Sequence, residues 1–290
     1  MSEWAARAAL MAFKALGRLP VPVIRALATP LAAIIYRLAG HRRHVARTNL
    51  RLCFPQWTES ERERVARAHF RAYLITIFER FIFWFGPIER INALCSLQGK
   101  EHVEAHRGKP MIILAPHFVG LDAGGIRLQS EMRVDSMYAQ QKSGTLTQAM
   151  TEGRSRFHGS RMILRNEGIR GAVRTLRDGI PFYFLPDMDL GARDAVFVPF
   201  FGVPAATVTS VARLAKMTNA VIVPCVTLLT ERGYAARFYP PWDDYPGDDV
   251  EAATRRMNAF IEERVLEAPE QYLWSHKRFK SRPEGEQGFY

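Results

Sequence analysis

A chain of 290 residues that is 48% hydrophobic is long enough for one large α/β domain, or for such a domain with an added segment. Its three cysteines (Cys53, Cys95 and Cys225) stand far apart with no Cys-x-x-Cys, which argues against a disulfide framework or a thiolate metal site and suits a reducing compartment. The net charge of +11 is concentrated: residues 1–51 hold nine Lys/Arg and one acid, Glu3, so a polyanionic surface, nucleic acid or anionic lipid, is indicated.

The first segment separates those two. Trp4, Leu10, Met11, Phe13 and Leu16 surround Arg7 and Lys14, and 19–39 is mostly Leu, Val, Ile, Ala and Pro, too apolar for a nucleic-acid arm. The longest uncharged run, Ala26 to Tyr36, has eleven residues, where about 20 are needed to cross a bilayer. Pro20, Pro22 and Pro30 interrupt the stretch. Residues 1–40 therefore read as an interfacial or marginally spanning anchor, pinned by arginines to anionic headgroups. A buried helical hairpin of an ordinary domain is the alternative. No small-residue cleavage site follows an early apolar core, so a secreted signal peptide is not indicated.

Residues 42–54 continue as a basic helix that ends near Pro55. Thr58 followed by Glu61 forms a capping box, which predicts a helix through about Phe83. Val65, Phe70, Leu74, Ile77, Phe78 and Phe81 recur along it at helical spacing, with Arg62, Arg64, Arg67 and Arg71 among them. Its aromatic end, FERFIFWFG (78–86), is either helix core or a wall against lipid. From about residue 96 strands alternate with helices. Strands are expected at 111–115, 134–139, 161–164, 181–185, 220–228 and 235–239, and helices at 122–131, 144–156, 168–178, 206–217 and 249–266. That alternation implies βαβ units and a sheet covered on both faces. The expected organisation is a 1–40 anchor and a 41–290 domain, comprising a helical lead-in (41–95) and an α/β core with a mixed sheet (96–280).

Ligands of open α/β sheets bind outside the carboxyl ends of the strands. His117 sits there, after MIILA and Pro116, and Asp122 falls in the first turn of the next helix. On one regular helix a five-residue separation would put the two side chains about 140° apart, but a loop histidine and a helix aspartate can meet. His117 would then take a proton from a hydroxyl while Asp122 fixes its tautomer. A capping aspartate beside an incidental histidine is the plainer account. Asp187 and Asp189 begin at another strand end and could bind a metal, orient a sugar or receive arginines. Phe197, Phe200 and Phe201 with Val198 and Val203 could line an acyl-chain slot. Arg165 ends a third strand, suited to a phosphate or an oxyanion. His276, Lys277, Arg278, Lys280 and Arg282 cluster beside Tyr272 and Trp274, as a substrate contact or a solvated basic face. The chain has no His-Glu-x-x-His, P-loop or Gly-x-Ser-x-Gly.

Together these stretches resemble the late acyltransferases of lipid A biosynthesis, the lauroyl/myristoyl transferases of Gram-negative bacteria. The likeness runs from Arg47 to the C-terminus, through RTNLRLCFP (47–55), HFVGLD (117–122), RNEG (165–168), PDMDLG (186–191), VFVPFFG (196–202) and APEQYLWSHKRFKSRPEG (268–285), the last two being the most specific. It implies a glycerolipid-acyltransferase-like fold with His117 and Asp122 as catalytic dyad and Arg165 and Asp187 in the site. Some members carry Glu at the acidic position, so Asp122 is within the pattern. Asp189 and Arg278 are further candidate substrate contacts. The resemblance also implies an acyl carrier protein thioester as donor, a glycolipid hydroxyl as acceptor, and neither metal nor organic cofactor. It places the protein on the cytoplasmic face of the inner membrane. A lysophospholipid or a mannosylated phosphoinositide is the alternative acceptor. A non-catalytic basic protein binding nucleic acid at the membrane would leave His117, Asp122 and PDMD unexplained, and no RNA-recognition signature or zinc knuckle supports it. The membrane is assigned to 1–51, and the soluble partners to the arginines of 62–71 and the basic run 276–282.

Overall fold

The computed structural model describes residues 3–140, 143–165 and 168–290, so Asn166 and Glu167 of RNEG lie outside the described residues. Helices α1 (Glu3–Leu16), α2 (Val21–Leu38) and α3 (Gly40–Cys53) lead into the long helix α4 (Glu59–Phe85). The expected capping box opens α4. Thr58 Oγ1 accepts from the Glu61 N–H at 3.2 Å, and the Glu61 carboxylate accepts from the Thr58 N–H at 2.7 Å. Phe78, Phe81, Phe83 and Trp84 are all buried, so the aromatic end of α4 is helix core. Burial on all sides follows from its neighbours: the N-terminal helices lie on one flank and the sheet layer on the other.

Helix α2 has two different faces. Ile24, Ala28, Ala32 and Tyr36, spaced by four, are buried, while Val23, Leu27, Leu31, Ile34 and Leu38 stay exposed. The prolines expected to interrupt it do not. Pro22 falls in the first turn, where the missing N–H is not needed, and Pro30 sits inside a helix that continues past it. By length and composition α2 suffices to cross a membrane. Its inner face is committed, however, because Arg25 Nε donates to Glu79 of α4 at 2.7 Å, and Tyr234 Oη donates to the same fully buried carboxylate at 2.6 Å. Pulling α2 away would leave Glu79 a buried, half-paired charge, at a cost of several kcal/mol.

After helix α5 (Ile88–Leu94) the α/β layer begins, with the short helix α6 (Glu101–Glu104) between its first two strands. It contains strands β1 (Cys95–Gln98), β2 (Met111–Leu114), β3 (Asp135–Tyr138), β4 (Met162–Leu164), β5 (Phe182–Phe184), β8 (Val221–Leu229) and β9 (Tyr234–Phe238), in the order β1-β9-β8-β2-β5-β3-β4. Every pair is parallel except β8 with β9, which makes the sheet mixed. Alternation within β2 divides the core in two. Ile112 and Leu114 face one cluster with α9 (Arg170–Arg177), α10 (Ser210–Thr218) and α11 (Val250–Glu267). Met111 and Ile113 face the other, with α2, α4 and α7 (Leu121–Gln129). Helices thus cover both faces, and α8 (Gly144–Arg154) follows β3.

A separate hairpin, β6 (Ala195–Phe200) with β7 (Val203–Val208), was not expected; the last three residues of β7 fall in the helix expected at 206–217. Its two-residue turn puts Phe201 and Gly202 at φ 51° and 77°, the left-handed conformations such turns require. The hairpin places Val198 and Phe200 in the core, Phe200 against Phe201, Tyr272 and Phe279. Val198 and Phe200 are thus core packing, while Phe197, Phe201 and Val203 are half-buried.

Candidate active site

Two strand ends with the same local sequence build the centre. Ala115-Pro116-His117 follows β2, and Leu185-Pro186-Asp187 follows β5. The strands are parallel neighbours, with Leu114 paired to Phe184. Each proline ends the ladder, and the residue three positions past the last pair leaves the sheet at the same height. His117 and Asp187 therefore meet. Nδ1 of His117 lies 2.7 Å from Asp187 Oδ1, and the His117 backbone N–H donates to Asp187 Oδ2 at 2.9 Å. Burial would raise the Asp187 carboxyl, but the charge and hydrogen bonds of His117, with Arg278 farther off, hold it down to about 2. An ionised carboxylate can only accept, so the proton sits on Nδ1. Nε2 makes no hydrogen bond among the described residues.

The tautomer of His117 is thus fixed by Asp187, where the sequence reading gave that task to Asp122. Asp122 lies in the first turn of α7 and faces elsewhere. Arg154 Nε donates to its Oδ1 at 2.6 Å, and Arg80 Nε stands 2.6 Å from its Oδ2 as an ion pair at an angle poor for a hydrogen bond. Burial would raise this carboxyl too; Arg154 and Arg80 outweigh it, with a smaller pull from His117, and hold it below the carboxylate range. Both guanidiniums rest on Trp84, at 5.6 and 5.9 Å from the ring. Beneath Asp122 a cavity of about 40 Å³, lined by residues including Gly125, Arg154 and Tyr183, has room for little more than a water.

The remaining expected site residues have other tasks. Asp189 is a buried staple: it accepts from Ser281 N–H and Oγ and from Gly191 N–H, while its own N–H donates to His276 Nε2 at 3.1 Å. Arg278, 1% exposed, donates to Ala206 O, Thr207 Oγ1 and Asn258 Oδ1. Both are turned to protein partners, with only the Nε of Arg278 left unpartnered among the described residues. Arg165 is exposed at the end of the edge strand β4, three strands from β2, and is not brought to His117. Much of the basic run 276–282 is engaged with the fold, although Lys280 remains exposed. Lys280 donates to Asp189 O, Arg282 to Pro204 O and Glu286, and burial pushes His276 down to about 4. Arg62, Arg67 and Arg71 are likewise engaged, with Phe54 O, Glu63 and Thr29.

Sequence reasoning missed Arg80 and Arg154, which no motif marks, and the work of Asn49. The buried Asn49 amide donates at 2.7 Å to both Trp274 O and His276 O. It fastens the segment whose Gln271 O and Leu273 N–H pair with Val119 and His117 of the histidine loop. The signal for Asp187 was present, in the repeated apolar-Pro-polar ending of two strands. Among the described residues no group of three His, Cys, Asp or Glu is arranged for a metal ion.

The family model for bacterial lipid A biosynthesis acyltransferases matches residues 1–281. The chain is 33% identical over 273 residues to the lipid A biosynthesis lauroyltransferase of Escherichia coli K12, covering 92% of this chain and 89% of that one. It is also 33% identical over 279 residues to the palmitoleoyltransferase of the same organism (94% and 90%). With the myristoyltransferase the identity is 32% over 269 residues (89% and 82%). A solved structure, the 1-acyl-sn-glycerophosphate (LPA) acyltransferase of Thermotoga maritima, overlays with a TM-score of 0.39 at 13% identity, covering 85% of this chain and 96% of that one.

Proposed function

This chain belongs to the bacterial lipid A biosynthesis acyltransferases, and on that premise we propose that it carries a fatty acyl group from an acyl carrier protein thioester to a hydroxyl of a lipid A precursor, with His117 as general base. The observation that carries the reading is the His117–Asp187 pair at adjacent strand ends, with Nδ1 protonated and Nε2 free. In the proposed reaction Nε2 takes the proton as the acceptor oxygen attacks the thioester carbonyl. The C–O bond forms, the C–S bond breaks, and the departing thiolate takes the proton back from the imidazolium. Asp187 favours that imidazolium by charge, as an orienting acid does.

No acyl-enzyme is needed, since a thioester is already activated. The cysteines are unsuited to form one: all three are buried, and burial pushes the Cys95 thiol up to about 12 and the other two up as well. The exposed stripe of α2, with Trp4 and Met11 of α1, supports docking on the cytoplasmic face of the inner membrane. An α2 packed on α4 by one face suits a helix lying in the interface better than one crossing the bilayer.

The test is to incubate the purified full chain with labelled acyl carrier protein and a panel of acceptors: a lipid A precursor, a lysophospholipid and a mannosylated phosphoinositide. Label should enter the lipid A precursor and be lost in His117→Ala, which keeps its fold. Transfer to the lysophospholipid alone, or near-normal turnover by His117→Ala, would overturn the reading.

A further inference from the structure

Strand β4 closes the sheet at one edge, and α9 lies along it on the side shared with α10 and α11. Gly171 lets the helix come close, since a Cβ there would meet Ile163 at 2.9 Å. A groove of about 400 Å³ runs between them, lined by Arg161 and Ile163 on the strand side and by Arg170 and Arg174 on the helix. Residues 161–178 carry five arginines, Arg161, Arg165, Arg170, Arg174 and Arg177, against two acids, Glu167 and Asp178. All five arginines are exposed. Arg170, Arg174 and Arg177, spaced by four and three, share one face of α9, opposite the buried Ala172 and Leu176. Among the described residues only Arg161 has an acidic partner, Asp135 at 3.3 Å. On α10 and α11, by contrast, Arg213 is paired with Asp194, Arg255 with Glu262 and Arg256 with Asp244. Like charges one helical turn apart repel, so the stripe stabilises nothing within the fold and is turned to a partner outside it.

We propose that the α9–β4 face docks the acyl carrier protein, its arginines meeting a helix of that partner which carries carboxylates at helical spacing. The inference rests on the acyltransferase reading above and names the surface on which the donor is presented. Charge is the first argument: acyl carrier proteins are acidic, and free guanidinium forks match carboxylate oxygens in pairs. The second is position. Helices α1 and α2 carry the exposed apolar surface, and Phe13, Leu16, Ile24 and Ala28 on their inner faces pack into the core cluster on the other side of the sheet. A bilayer met through those helices leaves α9 facing water. The third is reach. Strands β2, β5, β3 and β4 are successive and parallel, so the carboxyl end of β4 shares the sheet edge from which His117 emerges. Three strand spacings separate them, about 14 Å. A carrier thioester hangs on an arm of about fourteen bonds, roughly 17 Å when extended, which spans that distance. The basic stretches that the sequence offered for soluble partners are less suited, since Arg62, Arg67, Arg71 and Arg282 are engaged within the fold.

Steady-state kinetics of the full chain with Arg170→Glu and Arg174→Glu combined, using an acyl carrier protein thioester and the same acyl chain on pantetheine alone, test the proposal. Charge reversal should raise the KM for the carrier thioester tenfold or more, with kcat within about threefold and the KM for the acceptor unaltered. Transfer from acyl-pantetheine should be unaffected, because that donor has no protein surface to dock. The carrier KM should climb with salt in the parent and climb less in the charge-reversed protein. Acid-to-lysine changes along one helix of the carrier should weaken its binding to the parent and restore binding to the charge-reversed protein. An unaltered carrier KM, or an equal loss with acyl-pantetheine, would overturn the docking surface. So would weaker co-sedimentation with anionic vesicles at an unchanged carrier KM, which would make this face a lipid contact. If the double variant unfolds, Arg170→Gln and Arg174→Gln made singly should each raise the carrier KM at least threefold. Calorimetric titration with the carrier protein separates this proposal from the one beneath it. Binding that charge reversal abolishes, in a parent that acylates no lipid A precursor, would sink the acyltransferase reading and leave the docking surface standing.

Discussion

Replacing Asp187 with asparagine removes a charge from beneath His117 while keeping the side-chain size. The carboxyl is pulled from its ordinary 3.8 to about 2 although burial alone would raise it, chiefly by the charge and hydrogen bonds of His117. A carboxylate 2.7 Å from Nδ1 also stabilises the imidazolium that forms when His117 takes a proton, a hydrogen bond to a charged group being worth roughly 1.5–3 kcal/mol. A base that becomes imidazolium in the transition state loses this support in Asp187→Asn, and kcat should fall roughly 100-fold. KM for either substrate should change little, and thermal unfolding should show an intact fold. The assay is transfer from acyl carrier protein to a lipid A precursor at saturation, with Asp122→Asn measured alongside. Should Asp187→Asn keep kcat within threefold while Asp122→Asn abolishes it, the acid serving His117 is Asp122, and the argument from the Nδ1 hydrogen bond is refuted.

Burial pushes His69 and His276 from 6.5 down to about 4. The unfolded chain takes up these protons near pH 6.5 and the folded chain only near pH 4. The contribution is therefore complete above about 6.5 and lost as pH falls towards 4, on the order of 3 kcal/mol per histidine. Melting temperatures should fall steeply across that window, and less steeply in His69→Gln; a flat profile would contradict it. Gly153→Ala drives a methyl into Trp84, so the melt should reveal a loss of about 1–3 kcal/mol, with altered tryptophan fluorescence. Leu27 and Ile34 are about half exposed, so Leu27→Glu with Ile34→Glu should leave the melt unchanged. Co-sedimentation with anionic vesicles should drop at least tenfold, since each such side chain is worth roughly 1.5–3 kcal/mol when buried. Undiminished binding would move the anchor to α1.

Much of the fold was legible because it obeys local rules. The Thr58 cap, the period of α4 and the apolar runs of β2, β5 and β8 each act within a few residues. The β6–β7 hairpin was not legible, since Phe197 to Val203 is as apolar as an open slot would be, and only tertiary packing distinguishes the two. At the site, His117 could be read from its place after a strand. Its partner could not, because sequence proximity favoured Asp122, whereas strand order and register put Asp187 alongside. Arg278 and Asp189 read as candidate substrate contacts from their place in basic and acidic runs, whereas tertiary partners hold both inside. Nothing near Arg80 or Arg154 in sequence signals that they converge on Asp122.

The segment that steadies the histidine loop has a consequence in time. Gln271 and Leu273 pair with Val119 and His117, Ser281 closes on Asp189, and Asn49 fastens the stretch between them. All of these ties join parts of the chain far apart in sequence, and such contacts form late. During synthesis β2 and β5 leave the ribosome long before residues 270–281 exist. A nascent chain already held at the membrane by α1 and α2 would thus carry its histidine on an unsecured loop. On the proposed reading, attachment would come first and competence afterwards, so a chain interrupted on the ribosome would occupy the membrane without drawing on the pool of acyl thioester.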